Sequence, residues 1–181
     1  KDIIRAYRIP ILEVAGYEAD DVIGTLATEA GRQGITTYMM TPDKDYGQLV
    51  SDNVFMYRPK HTGGFEIMGT EEVKTKFSIQ STAQVIDMLG LMGDASDNIP
   101  GCPGVGEKTA QKLVAQFGSI ENLLEHTDQL KGALKTKVET NREMIAFSKF
   151  LATIKTDVPI RLKMDSLVRE EPNEEELRKI F

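Results

Sequence analysis

The chain has 181 residues, 22 of them basic and 28 acidic, with one cysteine and a formal net charge of −6. That length can bury a real core, either as one domain or as a domain with a helical extension. The single cysteine, Cys102, excludes an internal disulfide and reads as a small buried apolar residue in a reducing cytoplasm. No apolar run approaches the roughly 20 residues of a membrane span, and no signal peptide is present, so a soluble intracellular protein is expected, one cut from a longer polypeptide because it starts at Lys1.

In chain order, residues 1–8 suit a short helix and Ile9 to Val14 an extended apolar segment. Glu18, Asp20 and Asp21 then open a helix whose expected buried face is Ala19, Val22, Ile23, Leu26, Ala27 and Ala30, ended by Gly31 and Gly34. One or two acids there would only favour the positive end of the helix; three in four positions exceed what capping needs. Ile35 to Thr41 is rich in β-branched and aromatic residues and reads as a central strand, with Asp43-Lys44-Asp45 at its carboxyl end. Ligands gather at that edge of open α/β sheets, although Thr-Pro-Asp is equally an ordinary start to a turn or helix. Lys44, between the two aspartates, is expected to point to solvent.

Residues 46–50 suit a short helix, and Asn53 to Arg58 and Gly64 to Met68 two further strands, with His61 a loop residue and not a ligand. Thr70 to Phe77 reads as a helix capped by Thr70, and Ser81 to Leu91 as another. Asp94 and Asp97 lie in the next loop, followed by the turn Gly104-Val105-Gly106 and a helix with Ala110, Leu113, Val114 and Phe117 on one face. Lys108 and Lys112 are left toward solvent. Such a turn brings backbone amides close to a phosphate, yet alone it is equally a loop before an amphipathic helix. Ser119 to Leu124 suits a short capped helix, His126 a surface position, and Leu134 to Ile154 one long helix whose Lys135, Lys137, Arg142 and Lys149 form a solvated face or flank DNA. The acidic tail from Asp165 is expected to be peripheral or a linker.

The acidic balance argues at first against a nucleic-acid partner. The excess is local, however, because setting aside Glu18, Asp20, Asp21, Asp43, Asp45, Asp94 and Asp97 leaves a small positive remainder. Two unit charges about 4 Å apart repel by roughly 4 kcal/mol at an effective dielectric near 20, so converging carboxylates need cations or protons. All-oxygen ligands with no nearby His or Cys suit Mg²⁺ or Mn²⁺ and argue against zinc. Two such ions roughly 3.5 to 4 Å apart can drive in-line phosphodiester hydrolysis.

The stretches YEADDVIGTLA, TPDKDYGQLV and LMGDASDNIPGCPGVGEKTAQKLV together resemble the 5′ nuclease domain of bacterial DNA polymerase I, a relative of the flap endonucleases, and the resemblance covers essentially the whole chain. It implies a metal-dependent 5′-to-3′ exonuclease and structure-specific endonuclease acting on 5′ flaps and nicked or gapped duplex in replication and repair. The implied metal ligands are the seven carboxylates, with Asp43, Asp45 and Asp97 assigned to catalysis. The implied DNA contacts are Gly104, Gly106, Lys108 and Lys112, in a helix-three-turn-helix that often holds K⁺ on turn carbonyls. The implied setting is a bacterial cytoplasm near the nucleoid, as a monomer within the longer polymerase chain.

The expected architecture is α/β, with a mostly parallel sheet flanked by helices over residues 1–90, a helical DNA-binding subdomain over 91–155 and a tail over 156–181. The family's first strand with its metal-binding aspartate, a second aspartate and the basic arch have no counterpart here, so weak or absent turnover is expected of this chain. Two other readings stay open from the residues alone: a non-catalytic helix-hairpin-helix DNA-binding module, and a phosphatase using Asp43 as nucleophile.

Overall fold

The computed structural model describes residues 1–60 and 62–181, so the expectation for His61 lies outside the described residues. The chain opens with helix α1 (Asp2–Ala6) and continues through residues 9–14 without joining a sheet. Helix α2 (Ala19–Arg32) follows, then strand β1 (Thr37–Met40), a 3₁₀ turn over Lys44–Leu49, and strands β2 (Val54–Pro59) and β3 (Phe65–Met68). The three strands form one sheet in the order β1-β2-β3, parallel between β1 and β2 and antiparallel between β2 and β3. Among the described residues β1 is therefore an edge strand, where the sequence suggested a central one. The reason lies in burial: Val54 and Met56 of β2 are 1% exposed, whereas Tyr38 and Met40 of β1 are 54% and 73% exposed.

Helix α3 (Thr70–Phe77) is capped by Gly69, not Thr70, because Glu72 reaches back and accepts from the Gly69 amide at 2.9 Å. Helix α4 (Val85–Met92) then enters the core, with Val85, Met88 and Leu89 fully buried. Helix α5 (Glu107–Phe117) buries Ala110, Leu113, Val114 and Phe117, as the spacing predicts; each such large side chain contributes roughly 1.5–3 kcal/mol. Helix α6 (Ile120–Glu125) is capped by the Ser119 hydroxyl, which accepts from the Asn122 amide.

The expected long helix is two, α7 (Gly132–Thr140) and α8 (Arg142–Ala152). Asn141 breaks it, since both its backbone amide and its side-chain amide donate to the Lys137 carbonyl, closing α7 before α8 begins. Helix α8 packs along α4. Lys149 of α8 faces inward to Asp87, so it belongs neither to a solvated face nor to a DNA flank.

The buried face of α2 is rotated from the one expected. Val22, Ala27 and Ala30 are buried, but so are Gly24 and Thr25, while Ala19 is exposed and Ile23 is 39% exposed. The cause is residues 153–162, which run along α2: the amides of Lys155, Val158 and Leu162 donate to Asp21, Thr25 and Glu29, one helical turn apart. A side chain at Gly24 would meet Ile154 at 2.7 Å. The tail ends in helix α9 (Glu174–Ile180), which packs on α1; the Asn173 amide donates to the Ala6 carbonyl at 2.7 Å and Arg8 pairs with Glu170 at 3.2 Å.

Candidate metal centre

Three local structures carry the acids to one place. The first is the amino end of α2, where Glu18 is the residue before the helix and Asp20 and Asp21 fill its first turn. The second is the end of β1. There Asp43 caps the 3₁₀ turn by accepting from the Asp45 amide at 2.9 Å, so the aspartate pair is at once a strand end and a helix start. The third is the loop after α4. Asp94 and Ile99 exchange both backbone hydrogen bonds at 2.8 Å, and the Asp94 carboxylate accepts from the Ser96 amide at 2.8 Å, which closes a small loop carrying Asp97. That loop needs glycine at its base: Gly93 has φ +73°, and a Cβ there would lie 2.5 Å from the Ile99 carbonyl oxygen. Gly101, on the other side, donates its amide to the buried Ser148 hydroxyl at 2.9 Å and so fixes the loop to α8.

Six of the seven acids, Glu18, Asp20, Asp21, Asp43, Asp45 and Asp97, line one pocket of about 280 Å³, walled opposite by residues 151–154. Asp94 stands behind them, and carboxylate oxygens of Asp45, Asp94 and Asp97 lie within 4.8 Å of one another. A larger groove of about 460 Å³ between α2 and β1 is lined by apolar residues such as Leu26 and Met39 and holds none of these charges.

Within the cluster the acids are not equivalent. Burial pushes the Asp45 carboxyl up to about 6, with Asp43 and Asp94 adding repulsion and Lys44 opposing it. Asp94 is also buried, but the Lys44 ammonium and the Ser96 amide outweigh that and hold its carboxyl below the usual range. Burial, then the nearby Asp20 and Asp43, push the Tyr46 hydroxyl up to about 12. Asp45 Oδ1 is buried without a hydrogen-bond partner among the described residues. A buried carboxylate oxygen that makes no hydrogen bond and is offset only by the Lys44 charge at 3.4 Å, in a residue whose carboxylate converges with two others and with oxygen donors alone, fits a hard divalent cation.

Lys44 does not point to solvent. Its ammonium hydrogen-bonds Asp94 and lies 3.4 Å from Asp45, inside the cluster. Two further contributors carried no signal in the sequence. Gln48 donates to the Asp45 and Ala152 carbonyls, both at 2.9 Å, and accepts from the Ile154 amide, tying the aspartate turn to the opposite wall. The Lys155 amide fixes Asp21 Oδ1 at 2.9 Å.

The turn before α5 is separate from this pocket. Gly104 has φ +75° and Gly106 is the residue before the helix, while Lys108 and Lys112 are exposed and form no ion pair among the described residues. The Lys137 ammonium lies over Gly104, where a Cβ would meet it at 2.5 Å. Cys102 is buried at the start of this turn, as expected, and burial pushes its thiol up. His126 is exposed, with Nδ1 2.9 Å from the Asn122 carbonyl.

An α/β layer with a pocket lined by six carboxylates at the ends of its elements, joined to a helical unit led by a glycine turn, matches the divalent-metal nuclease folds. The chain belongs to the 5′-3′ exonuclease family: residues 1–78 match the family's N-terminal resolvase-like domain and residues 80–175 its C-terminal SAM fold. It is 42% identical over its whole length to DNA polymerase I of Bacillus caldotenax and 44% identical to that of Bacillus subtilis, spanning 21% of each. The chain thus covers about a fifth of the length of the curated relatives it matches. Among solved structures, T5 5′-exonuclease with divalent metal ions (zinc) bound aligns with a TM-score of 0.72 at 21% identity, over 81% of this chain and 54% of that one. The catalytic core of Rad2 aligns with a TM-score of 0.62 at 16% identity, over 98% and 64%. These likenesses agree with the α/β fold read from the sequence, although the small sheet is mixed, with one parallel and one antiparallel pair.

Proposed function

We propose that this chain is the metal-binding and DNA-gripping part of a 5′-to-3′ exonuclease and 5′-flap endonuclease within a bacterial DNA polymerase I. The observation that carries this reading is the approach of carboxylate oxygens of Asp45, Asp94 and Asp97 to within 4.8 Å of one another, beside a pocket lined by four more acids. Glu18, Asp20, Asp21, Asp43, Asp45, Asp94 and Asp97 would hold Mg²⁺ or Mn²⁺. When bound, such a pair of ions supplies Lewis-acid activation of water and charge neutralisation for phosphodiester hydrolysis.

The chain's own residues do the positioning. Asp94 is held as an anion by Lys44 and the Ser96 amide, and Gln48 and Lys155 fix the backbone and Asp21 around the pocket. Asp43, Asp45 and Asp97, from two elements, face the space a scissile phosphate would enter. Gly104, Gly106, Lys108 and Lys112 would take backbone phosphates of duplex next to a 5′ flap, nick or gap, through turn amides and two free ammonium groups. In support, the T5 flap endonuclease has been crystallised as a pseudo-enzyme-product complex with DNA and metal ions, and it aligns with a TM-score of 0.70 over 93% of this chain.

The same reading divides the chain into a metal-binding core over 1–90, a DNA-binding helical subdomain over 91–155 and a tail over 156–181. It places a monomer in the bacterial cytoplasm, at the nucleoid. K⁺ on the turn carbonyls rests on the family resemblance alone. The test is Mn²⁺ calorimetry on the chain and on its Asp43→Ala/Asp45→Ala variant. Heat of binding that vanishes in the variant supports the reading; no heat in either overturns it.

A further inference from the structure

The three acids that come closest together, Asp45, Asp94 and Asp97, carry more negative charge than bare carboxylates tolerate at such spacing. Among the described residues, the ion pairs made by Asp45 and Asp94 are both with Lys44. This lysine is held in place by its neighbours: it is the first residue of the 3₁₀ turn that Asp43 caps, so its backbone is fixed between the two aspartates it separates. Its side chain is 36% exposed while those of Asp45 and Asp94 are 11% and 5% exposed, so one partly exposed ammonium neutralises two nearly buried carboxylates. It satisfies the pair unequally. Asp94 receives the close hydrogen bond, whereas Asp45 Oδ1 lies 3.4 Å from the ammonium, outside good hydrogen-bond geometry.

A single positive charge with three protons to donate can neutralise one of these carboxylates well. A divalent cation can take an oxygen from each, and the Lys44 ammonium already engages oxygens of Asp94 and Asp45 that such an ion would use. We propose that Lys44 is the resident counter-ion of the Asp45–Asp94 pair, which a divalent metal must displace to bind Asp45, Asp94 and Asp97. Lys44 thereby holds the cluster together without metal and weakens metal binding, acting as a positioning residue and not a catalytic one. The inference rests on the metal-binding reading above and adds an exchange of cations to it. Nothing in the sequence distinguishes this role from that of a solvated lysine; the contact to Asp94, fifty residues away in the chain, does.

The test is Mn²⁺ calorimetry on the 181-residue chain beside Lys44→Gln and Lys44→Arg, with thermal melts in chelator and in saturating Mn²⁺. Removal of the competing charge in Lys44→Gln is expected to tighten Mn²⁺ about fivefold, the scale of a partly exposed ion pair of about 1 kcal/mol. The same variant melts lower in chelator and gains more from the metal, and Lys44→Arg stays close to the parent chain. Equal or weaker Mn²⁺ binding by Lys44→Gln, with binding by the parent intact, overturns the inference and leaves the metal reading standing. No binding by any of the three overturns both. Should Lys44→Gln fail to fold, the parent chain answers alone: the ¹⁵Nζ resonance of Lys44 moves toward that of a solvated lysine as Mg²⁺ is added, and an unmoved resonance in metal-bound protein overturns the exchange.

Discussion

The Nζ of Lys149 lies 2.7 Å from Oδ1 of Asp87, joining α8 to α4 through a carboxylate that is 5% exposed and a lysine that is 16% exposed. The same Asp87 oxygen accepts from the Ile120 amide at the start of α6, and Lys149 also reaches Glu121 at 2.7 Å. One buried acid thus organises three helices. Burial works against the charge on Lys149, but its two acidic partners outweigh that and raise its affinity for the proton.

Lys149→Met leaves Asp87 buried without its cation, the arrangement that makes breaking such a pair cost about 3–5 kcal/mol. Urea unfolding should show a loss of that order. The double variant Lys149→Met/Asp87→Leu should recover much of it, since no unpaired charge remains.

Stability at low pH should carry the mark of Asp45. Its folded carboxyl titrates near 6 against an ordinary 3.8, so between those values the folded chain holds a proton that the unfolded chain has released. Unfolding free energy without metal therefore falls as pH rises through that window, by on the order of 2 kcal/mol after allowance for solvent screening. The stabilisation is fully present below about 4 and lost above about 6. Chemical denaturation in chelator at pH 4, 5, 6 and 7, run with Asp45→Asn, measures it; the variant should lack this slope.

Lys108 and Lys112 should act on duplex DNA in a sequence-independent manner. Replacing both with alanine removes two exposed ammonium groups from α5. The salt slope of duplex affinity should drop by about two and affinity should weaken similarly for unrelated sequences, as read by fluorescence anisotropy against salt concentration. Mn²⁺ binding should be unchanged, because neither lysine lines the acidic pocket.

Gly93→Ala should disable the metal loop from its base. The new Cβ would be 2.5 Å from the Ile99 carbonyl oxygen and 2.8 Å from that of Pro100, both backbone atoms, at a φ of +73° that L-residues resist. A loss above about 2 kcal/mol in urea unfolding is expected, from the left-handed backbone and the clash together. Calorimetry should show Mn²⁺ binding weakened with it, because Asp94 and Asp97 hang on this loop.

What the sequence made legible and what it hid differ in physical kind. The convergence of the seven carboxylates could be read because five lie at the start or end of an element and Asp94 and Asp97 in the loop that follows α4, and such positions in an α/β layer come together by topology. The buried face of α5 could be read because it obeys a single period over four residues. The face of α2 could not, since Gly24 and Thr25 are buried by residues 153–162, a partner more than a hundred positions away. Asn141 hid the break between α7 and α8, because its side chain had a helical context on both sides and the deciding bond goes to its own preceding turn. Lys44 carries no signal for a simpler reason: a charged side chain defaults to water unless an opposite charge is brought to it, and Asp94 is brought only by folding.

The contact of α1 with α9 has a mechanical consequence. The first and last helices touch through the Asn173–Ala6 hydrogen bond and the Arg8–Glu170 pair, both outside the core cluster. Tension applied at residues 1 and 181 would load those two links and the Lys1–Glu13 pair early, while the sheet and α4 lie further from both ends of the chain. In a force-extension trace the chain should yield in two stages, a soft release of the terminal helices followed by a stiffer rupture of the body that carries the acids.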